Sequence, residues 1–138
     1  MYREEEAIKA VIQNGFLEEL QERLPGLDRN QVRGWASAVV KHLTQHLDDR
    51  QRRELAEFLP PALVPVAEEG ERVVNLFGKE RPGDFFVVVT RDAGAAPPTL
   101  LETLATVIAA LRERIPKPQR EDIERNLPEE IADIWRGA

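Results

Sequence analysis

Sliding the chain against itself by 68 residues aligns positions 32–66 with 100–134 without a gap. Self-similarity of this kind constrains the fold before any local motif is read. Each copy must adopt the same supersecondary structure and bury its apolar face on a neighbour. Six identities fall among the 35 aligned pairs, including Gln51-Arg52 with Gln119-Arg120 and Leu59-Pro60 with Leu127-Pro128. The conservative pairs carry more weight: Val32 with Leu100, Val40 with Ile108, Leu47 with Ile115, Leu55 with Ile123, Leu63 with Ile131 and Val66 with Ile134. Nearly every apolar position of one half is apolar in the other, and the chain reads as an internal duplication.

Each copy has helical periodicity. Val32, Ala36, Val39, Leu43 and Leu47 recur at steps of three and four and form one apolar stripe. Asp28 stands where an N-cap belongs, with Gln31 three residues on in the capping-box place. The second copy repeats the stripe as Leu100, Leu104, Val107, Leu111 and Ile115, and Pro98 suits the first turn. Polar breaks follow at Asp48-Asp49 and Pro116-Lys117-Pro118, then a second helix with Leu55 and Leu59, or Ile123 and Leu127. Proline disfavours helical geometry in the residue before it but opens a new helix readily. The spacing therefore predicts breaks at Leu59 and Leu127, each followed by a short third helix. Pro61 and Pro65 make the first of these harder to keep helical.

Upstream, the pattern predicts an extra N-terminal helix over about 3–13 and an amphipathic helix from Phe16 to Leu24. Phe85-Phe86-Val87-Val88-Val89-Thr90 has strand propensity, yet it holds roughly the place of Phe16–Leu24, and no other segment offers it a partner strand. Helix is the reading that agrees with the repeat. The expected fold is all-α: two similar multi-helix units packed into one compact helical domain over 1–138. Unit one covers about 16–68, a bridge about 69–83, and unit two about 84–136.

These features resemble a bacterial family catalogued only as a domain of unknown function, number 2267. Its members look like tandem helical units that open near a Phe, run through an Ala/Val/Leu helix and end on Leu-Pro. The matching residues are Phe16 or Phe86, then Ala36–Leu43 and Leu59-Pro60, and in the second unit Leu104–Leu111, Gln119–Pro128 and Ile134-Trp135. The resemblance covers about 120 residues. It implies a helical architecture and transfers no catalytic residue.

Composition removes much chemistry. The chain has no cysteine, which excludes disulfides, thiolate metal sites and cysteine nucleophiles. Ser37 is the only serine and lies within a helical pattern, away from any strand-turn-helix nucleophile context. Gly78-Lys79 is followed by Glu80, so no phosphate-cradling loop is present. A net charge of −6 without a basic lobe argues against nucleic acid as a partner. Apolar runs such as Phe85–Val89 fall far short of a membrane span, and an acidic opening, Glu4-Glu5-Glu6, is unlike a secretory signal. A cytoplasmic location is expected.

His42 and His46 are the one constellation with metal-ligand spacing, four residues apart on a helix face. Trp35 shares that edge of the apolar stripe. A third ligand would have to come from Asp49 or a distant carboxylate, and two boundary histidines beside a tryptophan are the plainer reading. The carboxylates of Glu121-Asp122-x-Glu124 and Glu129-Glu130-x-x-Asp133 read as solvated helix faces. Trp35 and Trp135 are core residues or interface anchors. No cofactor is expected. The leading functional expectation is a non-catalytic protein-interaction or self-association module, offering a groove to a partner helix or to a second copy. The alternative is a small-ligand or metal-responsive binding protein using the Trp35/His42/His46 edge, and an enzyme ranks third.

Overall fold

The computed structural model describes residues 15–77, 81, 84–94 and 100–137. It is all-α. Helix α1 covers described residues 15–23. The others are α2 (Arg29–Thr44), α3 (Asp49–Glu57), α4 (Val64–Phe77), α5 (Phe85–Ala93), α6 (Leu100–Glu113), α7 (Lys117–Asn126) and α8 (Glu129–Gly137), with a 3-10 turn, Pro61–Leu63, leading into α4. The helix expected over about 3–13 lies outside the described residues. No helix among the described residues is long and apolar enough to cross a membrane.

Local chemistry sets the boundaries. Asp28 caps α2 through a reciprocal box in which its carboxylate accepts the Gln31 N–H at 2.8 Å and the Gln31 side chain accepts the Asp28 N–H at 2.8 Å. Asp48 and Gln51 build the same device at the start of α3. The Asp48-Asp49 step is thus a cap as well as a break. The valine-rich run Phe85–Thr90 is helical in α5, since among the described residues no strand stands beside it to use its β propensity.

Two expectations need correction. The segment 70–77, assigned to a bridge, is the body of α4, which runs from Val64 to Phe77. Pro65 does not interrupt it, because a proline in the first turn gives up an N–H that has no helical partner. The aromatic that answers Phe16 is Phe85 rather than Phe86: Phe16 and Phe85 are both buried, and Phe86 is only half-buried.

Packing centres on α2, which touches α4, α5 and α6. Two glycines allow the close approaches. A Cβ on Gly34 would lie 2.8 Å from the Ala93 carbonyl oxygen of α5, and one on Gly70 of α4 would lie 2.6 Å from the Lys41 carbonyl oxygen and collide with the Thr44 hydroxyl. Backbone meets backbone at both points, so the absence of a side chain sets the helix separation. Like helices of the two halves also meet, α2 with α6 and α3 with α7.

The opening helices cross over. Helix α5 packs on α2 of the first half. Helix α1 reaches α6 of the second, where Arg23 bonds Glu113 at 2.6 Å and Arg114 lies over the Phe16 ring at 5.2 Å. Phe85 meets His46 edge-on at 6.1 Å between centroids, and His46 is the residue 68 positions before Arg114. Burial follows the same offset: Val39 and Val107, Leu43 and Leu111, Leu55 and Ile123, and Leu63 and Ile131 are all core pairs. Each such side chain contributes about 1.5–3 kcal/mol relative to exposure.

Candidate functional site

Two candidate places among the described residues are a polar junction and an open groove. The first is the junction of α2, α4 and α5. His42, buried at 4 % exposure, sits in the last turn of α2, and its Nε2 is 2.6 Å from Asp92 Oδ2 on α5. Its Nδ1 is 3.3 Å from Gln45 Nε2. Lys41 Nζ lies 3.4 Å from Glu69 on α4 and 3.8 Å from the same Asp92 oxygen, and Arg91 Nε is 3.2 Å from the other. The carboxylate therefore faces three basic side chains.

Burial alone would push the Asp92 carboxyl up, but the hydrogen bonds from His42 and Arg91 and the charges of His42 and Lys41 outweigh it, and it lies below its ordinary value of 3.8. A depressed carboxyl supplies stability above its unfolded-state pKa and loses it as pH falls through the folded-state value. We expect Asp92→Asn to lose about 1–2 kcal/mol at neutral pH, in line with hydrogen bonds to a charged group. Urea unfolding at pH 7 and pH 3 should show the gap between the two proteins narrowing at the lower pH. An equal gap at both would rule out this account.

The metal reading of His42 and His46 meets a definite arrangement. His42 is committed to Asp92 and Gln45, and His46 lies against Phe85. Among the described residues, no group of three or more His, Asp or Glu side chains is placed to hold a metal ion. Trp35 and Trp135 are 0 % and 1 % exposed, so in this conformation neither presents a surface to a partner. The Trp35 Nε1 is buried without an acceptor among the described residues. Sequence reasoning missed Asp92, which the fold brings to His42 from 50 residues away.

The second place is an open groove of about 550 Å³ over α6. Ala105, Thr106 and Ala109 line it together with Arg23 of α1, Glu102 and Gly137 of α8. Leu101, one helical turn before Ala105, is 60 % exposed. The spacing Leu101, Ala105, Ala109 is one i, i+4 row, so the groove follows the helix axis with small side chains along it. The ion pair of Arg23 with Glu113, and the hydrogen bond of Arg23 to Glu19 at 2.6 Å, hold the α1 side of the groove in place.

No curated protein and no solved structure matches this chain. A family profile described as an uncharacterized conserved protein, DUF2267, matches residues 13–134. That span takes in α1 to α7, the α2 junction and the α6 floor of the groove, and by it the chain belongs to the DUF2267 family.

Proposed function

We propose that the protein is a non-catalytic interaction module that associates with a second copy of itself through the groove over α6. The observation that carries this reading is the row of Leu101, Ala105 and Ala109: an exposed leucine leading into a floor of small side chains, with Arg23 and Glu102 as polar lining. Small residues let another helix approach closely, and an amphipathic helix laid into such a groove buries an apolar face. The matched burial of the two halves supports an internal duplication behind the architecture.

Sedimentation equilibrium tests the proposal. The wild type is expected to associate at micromolar concentrations, whereas Ala109→Arg, which fills the groove from a half-buried position, gives a monomer with unchanged helical content. A wild type that stays monomeric to about 100 μM, where a useful interface of micromolar affinity (roughly −8 kcal/mol) would be saturated, sinks the self-association reading.

A binding role for the Trp35/His42/His46 edge has one observation in its favour, the buried Trp35 indole N–H that lacks an acceptor among the described residues. Metal content of the purified protein, compared with His42→Ala, tests its metal form; identical content in the two would reject it.

A further inference from the structure

The two halves treat one arginine differently. In the first, Arg52 is buried. Its Nε donates to the Thr44 carbonyl at 2.8 Å and its Nη1 to Asp49 Oδ1 at 2.8 Å. Beside it, Gln51 Oε1 accepts the Asp48 N–H in the capping box. The second half keeps the pair as Gln119-Arg120, but 68 residues on from Asp48 and Asp49 stand Pro116 and Lys117. Proline has no N–H to give, and Gln119 Oε1 is buried without a partner among the described residues. Lysine puts a cation where the first half has the carboxylate that closes Arg52. Among the described residues Arg120 Nε is accordingly buried with no acceptor, and so is Arg112 Nε at the end of α6. Pro116 gives α7 no side-chain cap.

These residues surround a cavity of about 110 Å³, lined by Arg112, Lys117, Arg120, Glu121, Glu124 and Trp135. Of its two carboxylates, Glu124 is engaged by Arg136 at 3.9 Å. Arg112, Lys117 and Arg120 form no ion pair among the described residues. Buried guanidinium N–H groups without acceptors are costly, and a doubly charged oxyanion satisfies several at once. We propose that this cavity binds a single phosphoryl group, free or as the end of a small monoester, whose oxygens take the place that the Asp49 carboxylate holds against Arg52. A phosphoryl dianion suits the site better than a carboxylate, because the exchange of Asp49 for Lys117 turns a local negative charge into a positive one.

Titration of the full chain with inorganic phosphate, against sodium chloride of matched ionic strength, provides the test. Trp135 at the cavity wall reports by fluorescence, and the unfolding midpoint gives a second readout. Phosphate is expected to raise the midpoint and perturb the emission. Arg120→Gln should weaken phosphate at least about tenfold, or about 1.4 kcal/mol. Lys117→Asp is the sharper variant. It restores the carboxylate that closes Arg52 in the first half, so it should melt at or above the wild-type temperature in chloride and no longer respond to phosphate. A wild type indifferent to phosphate overturns the proposal, as does a Lys117→Asp protein that still responds. Phenyl phosphate separates the sources: a shift equal to or above that of phosphate assigns the site to a monoester, and a shift with phosphate alone assigns it to the free ion.

Discussion

Produced as two chains cut between Phe77 and Arg81, neither half will show a cooperative unfolding transition, and mixing the halves will restore one. This follows from the crossing of the opening helices. Alone, the first half keeps α2 but loses α5, so the partners of Phe85, Val89 and Ala93 are left open to water, and α1 loses its anchor at Glu113 and Arg114. The second half loses α2 and α1 together. Removing burial from Phe16, Leu20, Phe85 and Val89 withdraws about 1.5–3 kcal/mol apiece. A whole domain has roughly 5–15 kcal/mol in hand, so the deficit is sufficient to unfold it. Circular dichroism against temperature, on each half and on the equimolar mixture, reads the result directly. A sharp, concentration-independent melt from either half alone would show that the crossing is not needed for stability.

Gly70→Val should produce the next largest loss, about 3 kcal/mol, or roughly 10 °C in midpoint for a domain of this size. The Cβ at this position meets the Lys41 carbonyl oxygen at 2.6 Å, and a backbone atom within a helix cannot rotate aside. Helix α4 must lift from α2, breaking the packing of Leu63 and Ala67 nearby. The gain in helix propensity from replacing glycine, about 0.5–1 kcal/mol, is too small to compensate. Gly137→Ala is the matching control, since a Cβ there has nothing within 4 Å and the change should be neutral or slightly stabilising. Equal effects at the two positions would reject close approach as the reason for Gly70.

The helices themselves were legible because their signal is periodic. Val39 and Leu43, matched by Val107 and Leu111, mark a face whatever it packs on, and Asp28 with Gln31 marks a start. Even Phe85–Val89 resolved correctly once the need for a partner strand was weighed against propensity. Pairing was harder to read. Nothing near Phe85 says that α5 lies on α2, because an apolar face carries no address. The roles of Gly34 and Gly70 show only once their neighbours across the interface are known. Asp48 repeats the spacing of Asp28 to its glutamine, yet the Asp48-Asp49 step read only as a polar break.

The polar identities shared by the two halves, Gln51-Arg52 and Gln119-Arg120, held more information than their use as alignment markers suggested. Where apolar positions drift among Val, Ile and Leu, two polar residues kept in both halves point to a specific set of hydrogen bonds. In the first half Gln51 Nε2 donates to the Asp122 carbonyl at 2.7 Å and Gln51 Oε1 accepts from Asn126 at 2.6 Å, tying α3 to α7. The candidate metal pair, by contrast, was legible only as a spacing, and the residue that engages His42 was 50 positions away.

The crossed helices also bear on how the chain is made. Helical proteins usually fold fast because their contacts are local in sequence. Here Arg23 waits for Glu113 across 90 residues, and Gln51 for Asp122 across 71. At a synthesis rate of about 5–20 residues per second, the apolar face of α1 stays uncovered for roughly 5–20 seconds after it leaves the ribosome. During that interval the nascent first half is a ligand in search of a surface, and its protection from aggregation depends on whatever occupies that face before α6 arrives.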